Sequence, residues 1–288
     1  MEIWRSEYPF ESRFFDVGDG VRMHYLDEGP DTDEAVVMLH GNPTWSFYYR
    51  HVVQALRGRM RCVVPDHVGM GLSDKPGDYP YQLARRIGDV QKLVAHLRLK
   101  RVHLVVHDWG GAIGMGLATR AADLTGRIVI LNTAAFPDAR IPRRIAVCRW
   151  PILGAALVRG LNGFARPAVR MAVTKPLSTA ARAGYLAPYD SWAHRVAVHQ
   201  FVRDIPMELE HPSRMILQQI GIDLAWLRAK PILIGWGGRD FCFNDHFYAR
   251  WKQVFPQAET EHYPDAGHYV LEDARERIIP RIAEFLGP

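Results

Sequence analysis

Arg101-Val-His-Leu-Val-Val-His-Asp-Trp-Gly-Gly-Ala-Ile-Gly114 begins as a buried β-strand and passes, without a loop, into a helix opened by small residues. Such a junction holds the residue at its corner, Asp108, on a sharp, exposed turn. Serine is the more usual occupant of an elbow of this kind. A carboxylate there points to attack on an electrophilic carbon, with a covalent ester as the intermediate. Gly110 lets the turn close tightly, whereas Val106 departs from the glycine usual two positions before the nucleophile. The helix N-terminus favours an ionised carboxylate at Asp108, and a plain N-cap is the competing explanation for an isolated aspartate in this place.

Strands and helices alternate on either side of the elbow. Ser12 to Val17 and Val21 to Asp27 read as a hairpin turned by Gly18-Asp-Gly20. Ala35 to Leu39 and Arg61 to Pro65 are short apolar strands, separated by a helix over Ser46 to Leu56. The spacing of Leu83, Ile87, Val90, Leu93, Val94 and Leu97 predicts an amphipathic helix over Tyr81 to Leu99. After the elbow helix, Gly110 to Ala122, comes a strand over Arg127 to Asn132. The alternation implies an α/β fold with a mostly parallel, doubly wound sheet, whose reactive groups gather at the carboxyl ends of the strands. It stops near Phe136 and resumes with a strand over Lys230 to Gly235, a helix over Asp245 to Phe255, a strand over Glu259 to Tyr263 and a closing helix over Asp273 to Leu286. Between them lie short helical patterns broken by seven prolines, from Pro142 to Pro212. We therefore expect a discontinuous core of residues 1–135 and 228–288, with a helical cap over 136–227.

A net charge of +5 with no basic run interleaved with aromatics argues against nucleic acid as partner. No apolar run approaches the length of a membrane span, and Met1 to Tyr8 lacks a signal core, which predicts a cytoplasmic protein. Cys62, Cys148 and Cys242 lack metal-ligand spacing and read as reduced thiols. No metal and no cofactor are expected.

Two further groups follow Asp108 in a telling order. Asp240 ends a strand, and His268 lies 28 residues later, in a loop before the last helix. The succession nucleophile, acid, base is that of α/β-hydrolases. His268 would take a proton from water while Asp240 fixes its tautomer and balances the imidazolium. Asp245 rivals Asp240 but starts a helix, where capping explains it. Asp265 and Asp273 read as turn and first-turn residues, and no carboxylate follows the strand ending at Asn132. Asn42, after a buried strand, reaches the mouth of the site. Its backbone N–H and that of Trp109 suit an oxyanion hole, and their side chains offer two neutral donors for a leaving anion such as halide or carboxylate. Core packing is the simpler role for Trp109.

Tyr8-Pro-Phe-Glu-Ser-Arg13, His40-Gly-Asn-Pro-Thr-Trp-Ser-Phe47, His107-Asp-Trp-Gly-Gly111 and the loops of Asp240 and His268 resemble the haloalkane dehalogenase branch of the α/β-hydrolases over nearly the whole chain. That resemblance implies Asp108 as nucleophile, Asp240 as acid, His268 as base, and Asn42 with Trp109 as the leaving-group clamp. The acid's position together with this clamp resembles the third dehalogenase subfamily. Pro65-Asp-His-Val-Gly-Met-Gly-Leu-Ser-Asp-Lys-Pro76, Leu131-Asn-Thr-Ala-Ala-Phe136, Gly184-Tyr-Leu-Ala-Pro-Tyr-Asp-Ser-Trp192 and Trp236-Gly-Gly-Arg-Asp-Phe-Cys-Phe-Asn-Asp-His246 are more specifically similar to the β-lactone decarboxylase of bacterial long-chain olefin biosynthesis. The triad is common to both.

The resemblance implies a cis-β-lactone with two long alkyl branches as substrate, and a cis-alkene and CO2 as products. Haloalkane hydrolysis to alcohol and halide is the alternative. Epoxide hydrolysis is a third, in which Tyr185 and Tyr189 would serve as acids from the cap; those enzymes usually carry an aromatic residue where this chain has Asn42. A non-enzymatic scaffold usually follows loss of a triad member, and none is lost. The cap also mixes Arg140, Arg143, Arg144 and Arg149 with Ile145, Val147 and Leu153. Such a stretch suits a membrane surface or a complex with other hydrocarbon-biosynthesis enzymes, and an ordinary solvated lid is the blander explanation.

Overall fold

The structure is a computed structural model that describes residues 2–287. Eight strands form one sheet in the order β1-β2-β4-β3-β5-β6-β7-β8. β1 (Arg13–Asp16) and β2 (Arg22–Glu28) form the expected hairpin, and β2 runs antiparallel to β4 (Arg61–Pro65). The remaining pairings, through β3 (Glu34–Leu39), β5 (Arg101–Asp108), β6 (Thr125–Thr133), β7 (Ile232–Gly237) and β8 (Glu259–Tyr263), are all parallel. The central strands are Val- and Ile-rich and buried almost end to end, as strands covered on both faces must be. β8, at the edge, keeps Glu259, Thr260 and His262 exposed.

The helices α1 (Arg50–Leu56) and α12 (Arg275–Leu286) pack together, while α2 (Leu83–His96) packs on α3 (Trp109–Arg120). From β3 the chain moves to β4 on one side and returns to β5 on the other. The carboxyl ends of β3 and β5 therefore flank a topological switch point, where a crevice opens. Asn42 follows β3 and Asp108 ends β5, so this topology sets them face to face.

Several boundaries differ from the expectations in an instructive way. β7 starts two residues late because Pro231 has no N–H for the ladder and contributes only its carbonyl, which accepts from the Ile128 N–H. It also extends to Gly237, paired with Tyr263. The helix expected over Asp245 to Phe255 is α10 (Asp245–Val254), the closing helix is two pieces, α11 (Val270–Asp273) and α12, and the helix expected over Ser46 to Leu56 opens with a 3-10 turn. A 3-10 turn at Ile3–Glu7, with Trp4 buried against Trp45 and Phe47, has no periodicity by which to anticipate it.

Between β6 and β7 lie α4 (Arg143–Cys148), α5 (Pro151–Ala155), α6 (Ala165–Met171), α7 (Thr179–Leu186), α8 (Val196–Arg203) and α9 (Pro212–Asp223), with no strand among these residues. Pro151 and Pro212 start their helices, where a missing N–H costs nothing, so the prolines that break the pattern also punctuate it.

Candidate active site

Asp108 stands at φ 52°, ψ −129°, a conformation L-residues rarely adopt and one that costs on the order of 1–3 kcal/mol. Its surroundings impose it. A Cβ at Gly110 would overlap the Leu39 carbonyl, one at Gly111 would overlap Thr133, and one at Gly41 would overlap the Asp108 carboxylate. The hydroxyl of Thr133 donates to the Asp108 carbonyl. Val106 is tolerated because the small residue has moved to Gly114, whose absent Cβ leaves room for the Val106 methyl.

The carboxylate is held by one oxygen. Asp108 Oδ1 accepts from the Asn42 N–H at 2.7 Å, while Oδ2 lies 3.7 Å from His268 Nε2. His268 Nδ1 is 2.7 Å from Asp240 Oδ2, and Asp240 Oδ1 accepts from the Cys242 N–H at 2.6 Å. All three side chains are buried. Burial pushes the Asp108 carboxyl above its usual range, with His268 and the N–H groups of Asn42 and Trp109 pulling the other way. Burial alone would lower the His268 imidazole, but Asp240 and Asp108 raise it above the ordinary histidine value. The arrangement therefore favours an imidazolium between two carboxylates.

Asn42 and Trp109 both line the cavity beside Asp108. The structure modifies the expected oxyanion hole: the Asn42 N–H grips Asp108 itself. The Asn42 Nδ2 donates to the Val198 carbonyl of α8 at 3.0 Å, so one of its two amide protons is already committed. Trp109 packs edge-on to Phe201, with the Arg86 guanidinium 5.4 Å from its ring.

Tyr185 and Tyr189 do not reach the cavity wall. The Tyr185 hydroxyl donates to Glu272 Oε1 at 2.5 Å, and Tyr189 is buried with its hydroxyl toward the Thr44 carbonyl. Asp245 pairs with His262 and Asp265 with Arg277, both away from His268.

Asp273 does more than its first-turn position suggests. It accepts from the N–H groups of Gly267 (2.7 Å), Thr174 (2.8 Å) and Lys175 (3.0 Å), tying the His268 loop to the chain after α6. Asn132, where no carboxylate stands, exchanges two hydrogen bonds with the Gly237 backbone and so braces the Asp240 loop. Glu272 is buried in a bidentate pair with Arg50 and holds Tyr185. For Glu272 and Asp273 the only sequence signal is adjacency to the His268 loop, and for Asn132 it is a place at the end of a parallel strand beside the one that leads to Asp240.

The cavity above Asp108 has a volume of about 340 Å³. Apolar side chains, among them Phe136, Ile145, Phe164, Leu217, Phe241 and Phe243, form most of its wall, and Asp138, Arg140 and Arg144 provide polar groups. It is a greasy chamber with the Asp108 carboxylate at its base.

Residues 36–281 match the sequence model of the Alpha/beta hydrolase family, and the chain belongs to that family. Within it, the chain is 44% identical to the cis-3-alkyl-4-alkyloxetan-2-one decarboxylase of Shewanella oneidensis, covering 96% of this chain and 89% of that protein. It is 35% identical to haloalkane dehalogenase 2 of Mycobacterium tuberculosis, covering 97% and 96%. The crystal structure of haloalkane dehalogenase DbeA from Bradyrhizobium elkani superposes with a TM-score of 0.86 at 24% identity, over 96% of this chain and 97% of that one, a likeness of fold. No helix among the described residues is long and apolar enough to cross a membrane.

Proposed function

We propose that the protein converts cis-3,4-dialkyl β-lactones, which are oxetan-2-ones, to cis-alkenes and CO2, with Asp108 as nucleophile. The observation that carries this reading is whole-chain likeness, 44% to the decarboxylase against 35% to the dehalogenase. A chamber polar only near its base and at a few wall positions supports it, because two alkyl branches need apolar walls while the ring needs one charged contact.

Asp108 Oδ2 attacks the ring carbon that bears the ring oxygen, in line with the C–O bond, which breaks and frees a carboxylate. The new ester inverts that carbon. The freed carboxylate then leaves as CO2, and the electron pair of its C–C bond forms the alkene while expelling Asp108 from the opposite face. Inversion followed by anti expulsion turns a cis ring into a cis-alkene. Asp108 returns unchanged, and neither water nor a net proton is consumed.

His268, whose protonated form Asp240 favours, stabilises the two carboxylates as charge passes between them, and Asn42 with Trp109 orients the leaving carboxylate. No step requires a cofactor or a metal. We further place the helices between β6 and β7 as a cap, with residues 1–135 and 228–288 as the core.

The dehalogenase reading draws on the same geometry: a neutral His268 could direct water at an ester on Asp108. The epoxide reading finds no support, since Tyr185 and Tyr189 offer no acid to the cavity. Purified protein given a long-chain cis-β-lactone and a set of bromoalkanes should release alkene and CO2 from the first with little bromide from the second. Rapid bromide release without alkene would overturn the proposal.

A further inference from the structure

Between Asp138 and Asp190 the chain contains no acidic residue but carries eight arginines and one lysine. Those nine charges exceed the +5 of the whole protein, so the remainder of the chain is net acidic. The basic excess is thus confined to the segment that builds α4 to α7. Much of it is uncompensated. Arg140 and Arg149 pair with Asp138 and Glu208, but among the described residues Arg143, Arg166, Arg170, Lys175 and Arg182 form no ion pair.

Three of these form one feature. Arg166 and Arg170, a turn apart on α6, and Arg182 on α7 line a groove whose remaining wall is apolar, including Val169 and Leu186. Pro167 and Met171 belong to both this groove and the cavity above Asp108, so the two share a wall. From the neighbouring helix, Arg144 of α4 reaches the Met171 sulfur at 3.7 Å. Just beyond α4 the chain presents Trp150, Ile152 and Leu153 to solvent, with Ile152 87% exposed. Apolar side chains that project from a cationic surface suit a bilayer boundary, where they enter the acyl region while arginines meet phosphates. An acidic protein partner would match the arginines, but an apolar groove edged by arginines and sharing a wall with an apolar chamber fits a headgroup with its acyl chain.

We propose that the α4–α7 face docks the protein on an anionic phospholipid bilayer, with the mouth of the active-site cavity turned toward the lipid. Docking stands on this surface alone; delivery of substrate from the bilayer rests on the lactone reading above.

The test is flotation of the full chain with phosphatidylcholine vesicles, with and without about one-third phosphatidylglycerol. Binding is expected only to the anionic vesicles and should weaken as salt rises. At roughly five-fold per basic side chain, the triple variant Arg166→Gln/Arg170→Gln/Arg182→Gln should partition about a hundred-fold less. Ile152→Ser/Leu153→Ser should weaken binding even at low salt. Both variants should retain turnover of a short-chain, water-soluble β-lactone, which shows that they are folded. Equal flotation with both vesicle types, none with either, or wild-type flotation of the triple variant overturns the docking. Capture by an acidic protein without flotation overturns it in favour of a protein partner. Flotation without any lactone turnover leaves docking standing and removes the lactone reading instead.

Discussion

The Asp108 elbow and the helical segment between β6 and β7 are built by opposite means. At the elbow, a strained backbone is imposed by three glycines that admit no side chain, by Thr133 and by the Asn42 N–H. The segment above it has short helices punctuated by prolines, an uncompensated basic face and exposed apolar side chains. In the proposed reaction the elbow thus leaves one geometry for attack, whatever the substrate. The segment supplies much of the cavity wall above Asp108. A variant at the elbow should therefore remove every activity together, and one that changes proton handling should separate them.

The largest effect is expected from Asp108→Ala. Loss of a nucleophile that acts with its neighbours as a unit should lower turnover on the order of 10⁴-fold or more for lactone and bromoalkane alike. The melting temperature should stay near that of the wild type, because the substitution leaves the strained backbone as it is and removes a carboxylate whose burial is itself costly. Retained activity on either substrate would place the nucleophile elsewhere.

His268→Gln divides the two chemistries. Ester hydrolysis needs a base for water, so bromoalkane should give one turnover of bromide and a trapped ester on Asp108, visible by mass spectrometry. Lactone breakdown, which uses no water, should continue with a loss of about ten- to a hundred-fold, in line with about 1.5–3 kcal/mol for a hydrogen bond to a charged group. A lactone-derived ester that accumulates and never collapses would show that His268 is needed in the second step.

The pH dependence should differ in sign. Both reactions need Asp108 ionised, and its carboxyl is raised by burial, so both rates fall as acid carries pH down through a value above the usual carboxylate range. His268 is raised despite burial, by Asp240 and Asp108. Hydrolysis requires the neutral ring and should rise as pH climbs through that raised value. Decarboxylation draws on the imidazolium and should decline there. Parallel rises in the two pH–rate profiles would assign His268 the same task in both reactions.

Sequence periodicity and motif order made the sheet and the Asp108, Asp240 and His268 constellation legible, because buried strands need apolar runs and the elbow needs small residues at fixed places. What stayed hidden follows from the same physics. Asn42 looked like a donor for a leaving group, but whether its backbone N–H faces the substrate or Asp108 depends on a separation set by the switch point. Asp273 and Asn132 act through backbone groups of other loops, and no local pattern encodes such partners. Tyr185 and Tyr189 lie in a helix and the turn after it, and sequence spacing does not tell which face of those elements meets the cavity.

Tyr185→Phe gives the smallest effect and tests that last point. The Tyr185 hydroxyl donates to Glu272, whose carboxyl burial would raise but which Arg50 and the hydrogen bonds from Arg50 and Tyr185 hold below its usual range. A group depressed in the folded state contributes stability above its unfolded pKa and loses it as pH falls through the folded value. Losing one bond to this buried carboxylate should cost about 1.5–3 kcal/mol in denaturant titrations at neutral pH, and less in acid, where Glu272 becomes protonated. Lactone turnover should change less than two-fold, since the phenol lies outside the cavity. A fall in turnover that exceeds the loss of stability would put Tyr185 in contact with substrate and revive the epoxide chemistry that its position argues against.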